Sequence, residues 1–128
     1  MIVVDTSALM TVLLREPGFE SCMTALDADD DIRISAGTLA EVLIVAGRRG
    51  IGPRLSSLLS SLELSVATVT TRTAEQVADA YAVWGKGTHP AGLNMGDCYA
   101  YVVAAELACP LLYIGNDFVH TDVVSALA

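Results

Sequence analysis

The sequence predicts an α/β fold: one domain over residues 1–128, a three-layer sandwich of about five mostly parallel strands flanked by helices. Three observations predict it. Short apolar runs alternate with longer segments whose apolar residues recur at helical spacing, the pattern of a parallel sheet covered on both faces. Glycine and proline mark several boundaries, as at Pro17-Gly18, Gly52-Pro53 and Pro110. No repeat or low-complexity linker divides the 128 residues, a length that supports a single core.

The first strand, about 1–5, is Ile2-Val3-Val4 closed by Asp5. A helical stretch at 7–14 follows, and Pro17-Gly18 separates it from a second at about 19–28. Asp29-Asp30-Asp31 reads as a solvated turn before a short strand, Ile32-Arg33-Ile34. A helix at 39–48 ends near Gly50. Pro53 suits the first turn of the next helix, where Leu55, Leu58, Leu59 and Leu62 form one apolar stripe. Val66 to Val69 is the third strand, and a helix at about 74–84 sets Val77, Tyr81 and Trp84 on one face. A glycine-rich loop, 85–93, leads to a helix at 95–108, which Pro110 stops. Leu111 to Ile114 is the fourth strand, and Val123-Val124 is the candidate for a fifth.

Composition narrows the function classes. Hydrophobic residues make up 53% of the chain, yet no run approaches the ~18 apolar residues of a membrane span. Asp5 comes too early for a signal peptide, so a cytoplasmic protein is expected. The surplus apolar surface then points to a protein partner. Helices 7–14 and 19–28 carry Leu9, Val12, Leu13, Leu14, Cys22 and Met23, more than two helices on one sheet face are expected to bury. Cys22, Cys98 and Cys109 lack CxxC spacing and read as small core residues. A net charge of −8 argues against a protein that coats nucleic acid with a basic surface. It leaves room for an enzyme whose acids gather at one cation. No phosphate-binding glycine motif occurs, and Ser7 lacks the context of a hydrolase nucleophile and reads as a helix cap.

Four acids stand where an unpartnered carboxylate is costly: Asp5, Glu41, Asp97 and Asp117. Singly, each has an ordinary explanation in capping. Thr38-Leu39-Ala40-Glu41 and Asn94-Met95-Gly96-Asp97 both fit a capping box, and Asp5 and Asp117 could cap the turns after their strands. Together they point elsewhere. Right-handed crossovers start every helix that leaves a strand at the sheet's carboxyl edge. Asp5 and Asp117 lie at that edge, Glu41 a short turn beyond, and Asp97 at the start of a helix running into a parallel strand. All four therefore face the crevice where α/β sheets bind ligands. Such carboxylates repel unless a cation neutralises them, and oxygen-only ligands favour Mg²⁺, or Mn²⁺, over zinc. That chemistry suits activated water attacking a phosphodiester. The preceding helix descends ~16 Å from the edge, and nine loop residues reaching up to ~30 Å can climb back, bringing Lys86 and His89 beside the crevice.

At these residues the chain resembles the PIN-domain ribonucleases, specifically the VapC-type toxins of type II toxin–antitoxin pairs. The resemblance is carried by Val3-Val4-Asp5-Thr6-Ser7-Ala8-Leu9, the helix around Glu41, Gly92-Leu93-Asn94-Met95-Gly96-Asp97-Cys98 and Leu112-Tyr113-Ile114-Gly115-Asn116-Asp117-Phe118. It implies that Asp5, Glu41, Asp97 and Asp117 are the catalytic, metal-binding quartet of a Mg²⁺-dependent endoribonuclease. Thr6, Asn116 and Asp122 are its supporting residues: Thr6 orients the site and Asp122 matches a recurring tail motif. Many relatives carry a basic residue and a second acid around Gly-x-Asp-Phe, where this chain has Ile114 and Asn116. The implied partners are an RNA substrate, a second copy of the chain and an antitoxin, whose tail would place an arginine among the acids. Two other readings compete: a catalytically idle PIN fold that only binds partners, and a receiver-type phosphoacceptor domain. The latter wants an adjacent acidic pair after the first strand and a lysine after the last, and this chain has neither.

Overall fold

The computed structural model describes residues 1–127. Its strands are β1 (Ile2–Val4), β2 (Ile32–Ser35), β3 (Ser65–Ala67) and β4 (Leu111–Leu112). Its helices are α1 (Thr6–Leu14), α2 (Phe19–Asp27), α3 (Ala36–Arg48), α4 (Gly52–Leu62), α5 (Thr71–Trp84) and α6 (Met95–Leu107). All strand pairs are parallel, in the order β3-β2-β1-β4. Side chains of β1 alternate between two cores, as a pleated strand requires. Ile2 and Val4 join Leu9, Leu13, Leu26, Val42 and Leu55 under α1–α4, whereas Val3 joins Val77, Val103, Leu111 and Phe118 under α5 and α6.

The fifth strand expected at Val123–Val124 reduces to one parallel bridge, Leu111 with Ser125. The Val124 carbonyl accepts from Leu111 N–H, and the Leu111 carbonyl accepts from Ala126 N–H. Upstream, Thr121 bonds back to the Phe118 carbonyl through both its N–H and its hydroxyl, so the tail turns before a ladder can extend. The helix expected from residue 39 starts at Ala36, because the Ser35 hydroxyl caps it by accepting from Gly37 N–H. That start removes Glu41 from a capping position and sets it in the second turn.

The apolar surplus expected on α1 and α2 is largely consumed. Leu9, Leu13 and Cys22 are buried, Val12 and Leu14 are half-buried against the same core, and Met23 remains exposed. The expected Asp29–Asp31 turn is tied down as well as solvated: Asp29 takes the N-terminal ammonium at 2.8 Å and Asp31 pairs with Arg33 at 2.6 Å.

From β1 the chain steps through β2 to β3, then returns to place β4 on the other side of β1. The switch point of the sheet therefore lies between β1 and β4, at the strand ends that carry Asp5 and Asp117.

Candidate active site

Asp5 leaves β1 in extended backbone and caps α1, its Oδ2 accepting from Ser7 N–H at 3.1 Å and from the Ser7 hydroxyl at 2.7 Å. Its other oxygen, Oδ1, is buried without a partner. A buried carboxylate oxygen in that state costs free energy unless a proton or cation occupies it. Burial raises the Asp5 pKa, the Ser7 bonds oppose this, and the Glu41 charge adds to the rise.

Ser7 is thus not the cap but the group that fixes the capping acid. Its Oγ also accepts from Ile114 N–H at 3.1 Å, so one hydroxyl spans the switch point from β1 to the end of β4. Sequence reasoning missed this role; the signal was a serine two residues after a strand-ending aspartate.

Glu41 reaches back across the crevice to accept from the Thr6 hydroxyl at 2.6 Å. The space for the Glu41 carboxylate exists because Gly96 has no side chain: a Cβ there would overlap Glu41 Oε2. Gly96 was the second residue missed. It makes a direct prediction. Gly96→Ala should stay folded, since alanine favours a helix and the obstructing atom is the end of a flexible side chain. Glu41 should swing out of the crevice, and cleavage should fall about ten- to a hundredfold, as when a supporting residue of a metal site is lost. Unchanged cleavage by a folded Gly96→Ala protein would remove Glu41 from the site.

Asp97 sits in the first turn of α6 within a reciprocal capping box. Asn94 Oδ1 accepts from Asp97 N–H at 2.8 Å, and Asp97 Oδ2 accepts from Asn94 N–H at 3.1 Å. The capping reading and the site reading therefore hold together, since one oxygen caps and the other is left to the crevice. Burial pushes the Asp97 pKa up to about 7, and the charges of Asp117, Asp5 and Glu41 each push the same way. Those three couplings make the four acids one electrostatic unit.

Asp117 and Asn116 stand exposed on the turn after β4, at the rim of the crevice. Asp122, expected to support the site, accepts instead from the Tyr101 hydroxyl at 2.7 Å. Lys86 is exposed on the loop, and His89 accepts from Ala91 N–H at 2.9 Å through Nδ1, which assigns it to shaping the loop. Tyr99 is half-buried with its ring over Gly37, where a Cβ would strike it.

Among the described residues no three acidic, histidine or cysteine side chains are already closed around one point. Asp5, Glu41 and Asp97 are each held by a hydroxyl or an amide and Asp117 stands exposed, so the four line a shared crevice rather than a preformed cage. The donor set still fits a hard divalent cation: the ligands are all oxygen, one is orphaned and buried, and the ion pairs among described residues, Met1–Asp29 and Arg33–Asp31, lie elsewhere.

Parallel strands, a switch-point crevice and four acids from separate elements define a PIN domain, and the chain belongs to the PIN domain family, whose model matches residues 2–124. Within that family it is similar to Ribonuclease VapC28 of Mycobacterium tuberculosis, 41% identical over 98% of this chain and 97% of the relative. It is also similar to Ribonuclease VapC30 of the same species, 39% identical over 96% of each. Among solved structures, Mycobacterium tuberculosis VapC20, a sarcin-ricin loop cleaving toxin, shares the fold with a TM-score of 0.77 at 16% identity, covering 97% of both chains. A toxin–antitoxin complex from Klebsiella pneumoniae does so at 0.74 and 20% identity, covering 98% of both. The receiver-type reading falls with this family membership.

Proposed function

We propose that this protein is the toxin of a VapBC-type toxin–antitoxin pair, an endoribonuclease that depends on Mg²⁺, with Mn²⁺ as a substitute. The observation that carries the reading is the crevice itself: Asp5 with an orphaned buried oxygen beside Glu41, and Asp97 under the charges of Asp117, Asp5 and Glu41. Relatives about 40% identical and named ribonucleases support the same activity.

Asp5, Asp97, Glu41 and Asp117 would hold the ion, which when bound supplies charge for the phosphodiester oxygens and lowers the pKa of the attacking water. Ser7 keeps Asp5 aimed from β1, Thr6 keeps Glu41 on the crevice wall, and Asn94 fixes the start of α6 beneath Asp97. Burial and the neighbouring acids oppose ionisation of the metal-free Asp97 carboxyl, and a bound cation would favour its charged form. The antitoxin's arginine would take the same acids as a bidentate partner and so exclude the cation. A homodimer belongs to this reading too. With α1 and α2 already packed, exposed Leu43 and Ile44 of α3 and Met95 of α6 are the apolar surface for it.

Purified protein and total RNA test the proposal. Cleavage is expected with Mg²⁺ or Mn²⁺, abolished by EDTA and restored by excess Mg²⁺. Cleavage indifferent to EDTA would overturn the metal assignment, and none of any RNA would favour an idle binding partner.

A further inference from the structure

The proposed nuclease site leaves one hydrogen-bond chain unused. Trp84, the last residue of α5, donates its indole N–H to the Tyr101 hydroxyl of α6 at 3.0 Å. Tyr101 in turn donates to Asp122 Oδ1 of the C-terminal tail at 2.7 Å. One phenol thus joins two helices and the tail. Burial, with the Asp122 carboxylate adding to it, pushes the Tyr101 pKa up to about 12, so the hydroxyl stays a donor at every working pH.

The chain of contacts continues into loop 85–93. The His89 ring stands edge-on to Trp84, centroids 4.8 Å apart. The Trp84 carbonyl accepts from Leu93 N–H at 3.0 Å, and the Leu93 carbonyl accepts from Lys86 N–H at 2.9 Å, closing the loop at its neck. Leu93 is fully buried and is followed directly by Asn94, the cap that fixes Asp97.

We propose that Asp122, Tyr101 and Trp84 form a positioning clamp through which the C-terminal tail holds loop 85–93 and sets the Asn94–Asp97 turn. This rests on the nuclease reading for its effect on catalysis, though the clamp is measurable without it. Asp122 is then neither a metal ligand nor a simple turn residue, and none of the three touches the reacting atoms.

Hydrogen exchange of residues 86–97, emission of the single tryptophan, and RNA cleavage kinetics test the clamp in the full-length protein. Tyr101→Phe and Asp122→Ala each delete the link, whereas Asp122→Asn keeps an acceptor and serves as the conservative rescue. Exchange in 86–97 is expected to rise about three- to tenfold in both deletions, the range set by one lost hydrogen bond. Trp84 emission should change in both. The kcat should fall by a similar factor with KM nearly constant, and Asp122→Asn should lie near wild type on all three. Unchanged exchange and emission in Tyr101→Phe would overturn the clamp. Raised exchange with kcat intact would overturn its link to Asp97. If the wild type cleaves no RNA, exchange and emission still decide the clamp, and only the nuclease proposal fails.

Discussion

Asp97→Asn is expected to cut RNA cleavage by on the order of a thousandfold, the loss typical when one charged or polar stabiliser is removed from an active site. Asp5→Asn should do the same. The reason is specific to each. Asp97 has one oxygen committed to the α6 cap and one for the cation; an asparagine in its place could keep the cap but would bind the ion poorly. Asp5 has one oxygen fixed by Ser7 and the other buried without a partner, where an asparagine amide would replace charge with a neutral group. The informative feature is the opposite sign of the two effects. Activity should collapse while the metal-free protein melts at a higher temperature, because an acid whose ionisation is opposed first by burial and then by its neighbours becomes a neutral amide. A folded variant that cleaves at the wild-type rate in Mg²⁺ would end the assignment. A variant that loses both activity and stability would show that Asp97 acts mainly through the helix cap.

The metal-free wild type should lose stability as pH rises from about 4 to about 7, and Mg²⁺ should restore it. Asp97 has a folded pKa of about 7 against an ordinary value of 3.8. Below the lower value both states are protonated. Between the two, the unfolded chain has released its proton while the folded chain keeps it, so raising pH favours unfolding. Above the upper value the folded site is ionised and the stabilisation is gone. The upper limit is about 4 kcal/mol for a shift of that size, and the open side of the crevice is expected to halve it through water. That corresponds to a fall in melting temperature of roughly 5–10 °C for a domain of this length. Asp5, raised in the same direction, adds to the fall. Asp29 and Asp31, whose pKa values are lowered by their cationic partners, act only below this window and do not mask it. Thermal melts at pH 5 and pH 8, with EDTA and with Mg²⁺, check the expectation. A melting temperature in EDTA that is flat across this range, or that rises with pH, would contradict it. In Asp97→Asn the decline should shrink to the part owed to Asp5.

The chain's local signals were sufficient for the element order, the parallel sheet and the four acids. The elements follow from period-two and period-3.6 apolar patterning, and the placement of the acids from their positions at strand and helix ends, although only Asp5 and Asp97 are buried. Asp5, read singly as a cap, does cap α1, and Asp97 caps α6; each commits one oxygen to that role and keeps a second for the proposed site. Element ends were less legible. The start of α3 was set by Ser35 and not by Thr38, a choice between two capping residues three positions apart that the pattern alone does not resolve. The tail's reduction from a strand to a single bridge depended on the turn at Thr121.

Other features are long-range and no spacing rule reaches them. Ser7 bonds to Ile114 across 107 positions, Thr6 to Glu41 across 35, and Tyr101 to Asp122 across 21. Gly96 matters only because Glu41, from another helix, fills the space above it. Which acids could meet was already written in the order of the elements, since strand and helix direction dictate which ends share an edge. Which hydroxyl, amide or missing side chain holds each acid became visible only in the folded molecule, because packing brings those partners together and proximity along the chain does not.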